Sequence, residues 1–388
     1  MGKMTSRERL MTALEHKEPD MVPLDLGGNQ TGIHKHAYRK LLECYGLKED
    51  IIIMDAVQQL ARPSEQVLQL LEIDTRYVLP GMFSQAELEY KEVKPGYFGF
   101  TDAWGVVWAA PAPPGEGLYY DIVHSPLADF SLEDLDHYDW PDPKDPELFR
   151  GLREYAKHLY ENTDYALVSG ITGVVFELCW YMRGFEQFYI DMLTNRPFVE
   201  KLMDITLEYW LAFEEAFLDE VGEYLQVVCV GDDVAMQSGP LFSPRIYREI
   251  VKPRQKKLYD FIKKHTGAKL WYHCCGSVRE YIPDFIENGV DILNPIQVSA
   301  VGMDSAELKA EFGDRLCFWG GIDTQHVLPR GTPEEVRAEV KRRMEDFKPG
   351  GGYVFNTVHN IQADVPMENL AALWEAAKEY RHYGSVKI

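Results

Sequence analysis

Eight apolar runs of seven to nine residues recur along the chain, most of them closing on Gly, Asp, Asn or Gln. They are Met21–Gly28, Ile73–Leu79, Tyr165–Gly173, Leu225–Asp233, Lys269–Gly276, Val290–Gln297, Leu316–Asp323 and Gly352–Asn360. Near-continuous apolar runs are the pattern of parallel strands covered on both faces. Between most of them lie stretches of helical period: Asn195–Asp219, Ser243–His265, Val278–Asn288, Pro333–Phe347 and Met367–Tyr380. Ser243-Pro244 and Thr332-Pro333 each set a capping hydroxyl before proline at a first helical position. Strands alternating with helices in this number predict an α/β protein of the closed (β/α)8 barrel type, a TIM barrel. The competing doubly wound sheet opens with a Gly-rich phosphate loop, and GGNQTG at residues 27–32 is a poor GxGxxG. An opening helix, Thr5–Glu15, is expected to cap the lower end. The rhythm breaks between the second and third runs. There residues 87–122 alternate in short bursts around Gly and Pro, which predicts a β-hairpin insertion with a Pro-rich return. Residues 126–147 read as an acidic connector, and the chain 1–388 as a single domain without internal repeats.

Composition narrows the function classes. A hydrophobic content of 46% with 26% charged residues is that of a globular protein with a full core. No stretch approaches the roughly 20 apolar residues of a membrane span. The charged start, MGKMTSRERLMTALEHKEPD, has no apolar signal segment, so a cytoplasmic protein is expected. A net charge of −22 argues against nucleic acid, whose phosphates it would repel, but not against a small anionic substrate, which responds to local potential. Six cysteines without a secretion signal are expected as reduced thiols, with Cys179 and Cys229 in apolar core runs.

In such a barrel the catalytic groups come from the C-terminal ends of the strands. The eight ends supply Asp25 and Asn29, Asp74 and Arg76, Thr172, Asp232 and Asp233, His273 and Cys275, Asn294 and Gln297, Asp323, and Asn356 and His359. Side chains alternate faces on a strand, so His273 and Cys275 share one face and Cys274 takes the other. An imidazole beside a thiolate suits Zn2+, and a catalytic zinc takes three protein ligands and leaves a fourth position open. His359, three strands later, is the candidate third ligand. The plainer alternative is a packed cysteine beside a hydrogen-bonded histidine. Asp232 and Asp233 diverge in the same way, so one is expected in the site as acid, base or ligand while the other caps a helix. Asp323 carries the same ambiguity.

Six segments then carry a resemblance: GITGVVFELCWYMRGFE (170–186), GDDVAMQSGPLFSPRIYREIVKPRQKKL (231–258), the HxCG of His273–Gly276, VDILNPIQ (290–297), FWGGIDTQHVLPRGTPEEV (318–336) and GGGYVFNTVHNIQADVPMENL (350–370). In this order they resemble the superfamily of uroporphyrinogen decarboxylase and cobalamin-dependent methyltransferase barrels. The methyl-moving members are similar in a zinc site built from His-x-Cys and a distant Cys. His273 and Cys275 match the first pair, while His359 stands at the distant position, where the decarboxylases carry a His in a Gly-His-Gly context. The resemblance therefore leaves His359 as either a ligand or a substrate contact. The decarboxylases use no metal, lack His-x-Cys and carry an arginine-rich N-terminal segment, whereas the corresponding stretch here, PLDLGGNQTGIHKHAYRK, has no paired arginines before Arg39. Their catalytic Asp aligns with Asp74, which inside IDTRYV could equally pair with Arg76.

The resemblance implies zinc-dependent methyl transfer between a small substrate and the cobalt of a separate corrinoid protein, as in O-demethylation of a methoxylated aromatic. Zinc would be held by His273, Cys275 and His359, with Asp232 or Asp233 handling protons or supplying a fourth ligand. The insertion's aromatics (Tyr97, Phe98, Phe100, Trp104, Trp108, Tyr119, Tyr120) would either wall the substrate or merely pack on the barrel. The alternatives are a metal-independent decarboxylase of a pyrrolic or aromatic acid using Asp74, and a binding subunit without turnover. A homodimer is left open.

Overall fold

The structure is a computed structural model describing residues 3–83, 88–113 and 116–383. Residues 87 and 114–115 of the expected insertion lie outside the described residues. Seven strands form one parallel sheet whose spatial order follows the chain: β1 (Thr75–Val78), β2 (Ala166–Thr172), β3 (Val227–Gly231), β4 (Lys269–His273), β5 (Ile292–Asn294), β6 (Cys317–Trp319) and β7 (Tyr353–Val354). The first predicted run closes the ring as an irregular eighth stave. The Asp25 N–H donates to the Phe355 carbonyl (3.0 Å), the Phe355 N–H to the Pro23 carbonyl (2.9 Å), and on the other side the Asp74 N–H to the Leu24 carbonyl (2.8 Å). It is not a regular strand because Pro23 has no N–H to give, and the Leu24 N–H goes to the Asp74 carboxylate (2.9 Å). The fold is thus the (β/α)8 barrel.

Side chains from alternate strand positions fill the interior: Ala166, Val168, Val227, Cys229, Trp271, Ile292, Cys317, Trp319 and Val354. Leu10 and Leu14 of the opening helix, α1 (Ser6–Leu14), join this cluster and plug the lower end, as expected. Thr5 and Glu8 close a capping box at its start. Asp74 belongs to this lower end, which corrects its placement at the mouth. It precedes β1, and its carboxylate accepts from Arg9 (2.6 Å), Arg381 (2.8 Å) and the Ser6 hydroxyl (2.7 Å). Arg76 is not its partner either, because the guanidinium pairs with Glu65. The run Ile73–Leu79 shows a strand but not which of its polar residues opens it.

The helices Pro333–Phe347 and Met367–Tyr380 stand where the pattern puts them, and Thr332 caps the first in a second capping box. The expected Ser243–His265 helix starts as a short turn, Pro244–Ile246, widens to a π segment at Tyr247–Val251 and becomes regular at Lys252–His265. Pro253 explains the widening, since it has no N–H for the preceding turn. The insertion is larger than a hairpin. Its strands Lys91–Lys94, Tyr97–Thr101, Val107–Ala110 and Asp121–His124 form a four-stranded antiparallel sheet with a small core of Phe100, Ala110 and Tyr120. Trp108 of this sheet packs edge-on against Tyr181, ring centroids 5.4 Å apart.

Behind β2, Glu214 of the helix Arg196–Val221 is fully buried. The Thr172 hydroxyl donates to its Oε1 (2.5 Å), but Oε2 has no partner. Burial pushes its pKa up to about 7. The folded state therefore holds this proton more tightly than the unfolded chain does. Stability falls as pH rises from about 4.5 through 7, by an amount on the order of 2–3 kcal/mol. Glu214→Gln is expected to raise the melting temperature at pH 8 relative to the wild type while changing it little at pH 4.5. Equal shifts at the two pH values would contradict this.

Candidate active site

At the C-terminal end of β4 the chain continues from His273 through Cys274 and Cys275 to Gly276. Alternation sorts the two thiols as expected. Cys274 is buried outward among the helices, its Sγ accepting the Val234 N–H (3.4 Å), while Cys275 lines a cavity at the mouth. His273 Nε2 stands 3.5 Å from Cys275 Sγ, and the His359 ring, from the loop after β7, lies 5.5 Å from the His273 ring. The three donor atoms lie within 4.8 Å of one another, and among the described residues no fourth His, Cys, Asp or Glu joins them. Neighbouring N and S ligands of a tetrahedral zinc are about 3.5 Å apart. The His273–Cys275 pair is already at that spacing, and His359 stands slightly outside it. Two imidazoles and one thiol with a fourth side open are the donor set of a catalytic zinc.

The surroundings prepare the donors. The Asn294 amide is oriented by donating to the Trp319 carbonyl (3.0 Å), so its Oδ1 accepts from His273 Nδ1–H (2.7 Å). That leaves the lone pair of Nε2 directed toward Cys275, the outer-shell arrangement that fixes the tautomer of a metal-ligating histidine. Burial pushes the His273 and His359 pKa values down to about 4, so both rings are neutral at physiological pH. Burial, followed by the carboxylate of Asp233, pushes the Cys275 thiol well above its usual range. Zinc binding would therefore have to displace one proton, from sulfur. Gly276 has φ +96°, and a Cβ there would sit 2.7 Å from the Met236 carbonyl oxygen, so the tight turn after Cys275 requires glycine.

The two aspartates part company. Asp232 turns to the helices, where its carboxylate accepts from the N–H groups of Phe176 (2.7 Å) and Glu177 (2.9 Å) and from the Gln255 amide (3.0 Å). It caps the helix Glu177–Arg183 and is not brought to the cavity. Asp233 accepts the Cys275 N–H (2.6 Å) and stays beside the three donors. Asp323 caps the following turn by accepting from the Gln325 and His326 N–H groups. Sequence reasoning missed Glu177. Burial, then Asp233 and Asp232, push its carboxyl well above the usual range, and the Tyr181 hydroxyl donates to it (3.3 Å). An acid opening the helix after a barrel strand is the signal that could have found it.

The cavity above the donors has a volume of about 330 Å³ and is lined by Met236, Gln237, Cys275, Gln297, Thr324 and His359, among others. Among the insertion's aromatics, Tyr119 lines an adjoining cleft, while Phe100 and Tyr120 fill their own small core. Trp104 packs on the barrel flank, 4.4 Å from the Tyr209 ring. No helix of the described residues is long and apolar enough to cross a membrane.

Comparison with known proteins gives two kinds of relative. The sequence model of the uroporphyrinogen decarboxylase (URO-D) family matches residues 121–380. A uroporphyrinogen decarboxylase of Pseudoalteromonas translucida is 27% identical over 286 residues, 70% of this chain and 75% of that protein. One from Aliivibrio fischeri is 27% identical over 293 residues, 69% and 75% of the two chains. A methylcobamide:CoM methyltransferase of Methanosarcina mazei is 25% identical over 210 residues, 53% of this chain and 56% of that one. Among solved structures, a methyltransferase from Methanosarcina mazei superposes with a TM-score of 0.63 at 18% identity, covering 97% of this chain and 99% of the other. At that identity the likeness speaks to the fold.

Proposed function

The chain belongs to the uroporphyrinogen decarboxylase family, and within it we propose that this protein is a zinc-dependent methyltransferase that moves a methyl group between a small substrate, such as a methoxylated aromatic, and a corrinoid protein. The convergence of His273, Cys275 and His359 at the barrel mouth carries this reading. The methylcobamide:CoM methyltransferase among the relatives supports it. The competing decarboxylase reading loses the carboxylate it relied on, since Asp74 is held between arginines at the opposite end of the barrel.

When bound, zinc would act as a Lewis acid on the sulfur or oxygen that carries or receives the methyl group. The residues of the chain do the rest. Asn294 keeps the His273 proton on Nδ1, so Nε2 remains a donor. Asp233 anchors the backbone at Cys275 by accepting its N–H, which holds the thiol facing the cavity. Gln237, Gln297 and Thr324 offer polar contacts to a substrate in the cavity. Nothing in the chain resembles a cobalamin-binding loop, so the corrinoid is assigned to a partner.

Methyl transfer is therefore expected only when a corrinoid protein is supplied in trans, followed by the absorbance change on cobalt methylation. Demethylation by this chain alone would remove the partner. Release of CO2 from a pyrrolic or aromatic acid by chelator-treated protein would replace the reading with the decarboxylase.

A further inference from the structure

A second cleft of about 570 Å³ opens beside the cavity at the donors. Gln237, Thr324 and Gln325 line both, and the Gln237 amide donates to Gln325 Oε1 (2.6 Å), so the two spaces are one cleft pinched at a pair of glutamines. The outer part is walled by Leu118 and Tyr119, which are 57% and 49% exposed, and carries Arg330 on its lining.

Arg330 is unlike most arginines of this chain. Its guanidinium makes no hydrogen bond or ion pair among the described residues, in a protein of net charge −22. Asp364 lines the same cleft but is not within ion-pair distance of it. The two histidines of the lining are each engaged through at least one ring nitrogen. His34 accepts the His36 N–H at Nδ1 (3.1 Å) and donates from Nε2 to the Leu118 carbonyl (3.1 Å), so it has no donor left for a ligand. His326 pairs with Asp323 through Nδ1 (3.2 Å). The unengaged cationic fork facing this space is therefore Arg330. A planar guanidinium with open donors in a largely polar lining that also carries Leu118 and Tyr119 complements an oxyanion on an aromatic body.

We propose that the outer cleft binds an anionic group, a carboxylate or an equivalent oxyanion, at the far end of the substrate, and that Arg330 recognises it while Tyr119 flanks its apolar body. The substrate would thus be an acid whose other end reaches the donors at the barrel mouth. For what happens at that end, the inference rests on the methyl-transfer reading.

Calorimetric titration of the purified protein with 4-methoxybenzoate and with the neutral 4-methoxybenzamide tests this. The wild type is expected to favour the carboxylate at least tenfold at low salt. Arg330→Ala should bring the two ligands within about twofold of each other, Arg330→Lys should keep part of the preference, and Arg330→Glu should reverse it. Benzoate and benzamide, which carry no methyl ether, should show the same pattern, so anion recognition is read apart from methyl transfer. If the benzoate preference depends on Arg330 but no methyl transfer is found, the cleft assignment stands and the reaction assignment falls. An Arg330→Ala protein that keeps the wild-type preference would overturn the proposal. So would a wild type that prefers no carboxylate, sulfonate or phosphonate probe over its neutral counterpart.

Discussion

Replacing Cys275 with alanine is expected to take the zinc content from about one per chain to near zero, while Cys274→Ala keeps it. The two thiols are adjacent in sequence, and the direction of their side chains is what differs. Cys274 is fully buried among the helices, whereas Cys275 faces the cavity 3.5 Å from His273 Nε2. A catalytic zinc has three protein ligands, so losing the thiolate leaves two neutral imidazoles, which cannot hold the metal through gel filtration. The Cys274 variant is the control for general damage, because it removes a better-buried sulfur. Elemental analysis of both proteins decides it. Full zinc in both would refute the metal site.

His359 carries the second large effect. If it is the third ligand, His359→Ala should bind zinc far more weakly. His359→Cys should keep zinc, since it restores the His, Cys and Cys set of the methyl-moving relatives that this chain resembles. The pH dependence follows from the side chains as folded. Both histidines stay neutral down to about 4, so between pH 5 and 8 the proton that competes with zinc is the one on Cys275. Zinc affinity should fall with decreasing pH, by about tenfold per unit for one displaced proton, and more steeply below about 4, where the rings also protonate. If His359 touches substrate instead, both variants keep zinc and lose turnover. Zinc content and activity measured on the same preparations separate the two roles.

The barrel was legible because its strands read as apolar runs and its helices as amphipathic stretches with strong caps, as at Thr332-Pro333. Period-two alternation was enough to choose between Cys274 and Cys275. Polarity at strand ends was a weaker guide, because a run of residues does not declare which end meets the mouth. Asp74 lies at the lower end for that reason, tied to Arg9 and Arg381, which are distant in sequence. Asp232 was lost to a helix cap formed by a segment more than fifty residues earlier, a pairing visible only once the barrel closes. Glu177 joins the site through that same packing. The irregular stave at Pro23–Asp25 and the fourth strand of the insertion depend on which N–H groups find partners, and composition does not record that.

X-ray absorption at the zinc edge of the purified protein tests the central claim most directly. The account predicts one zinc per chain with one sulfur at about 2.3 Å and two imidazole nitrogens at about 2.0–2.1 Å, plus a light atom in the open position. A protein that contains no zinc, or a zinc shell without sulfur, would contradict it.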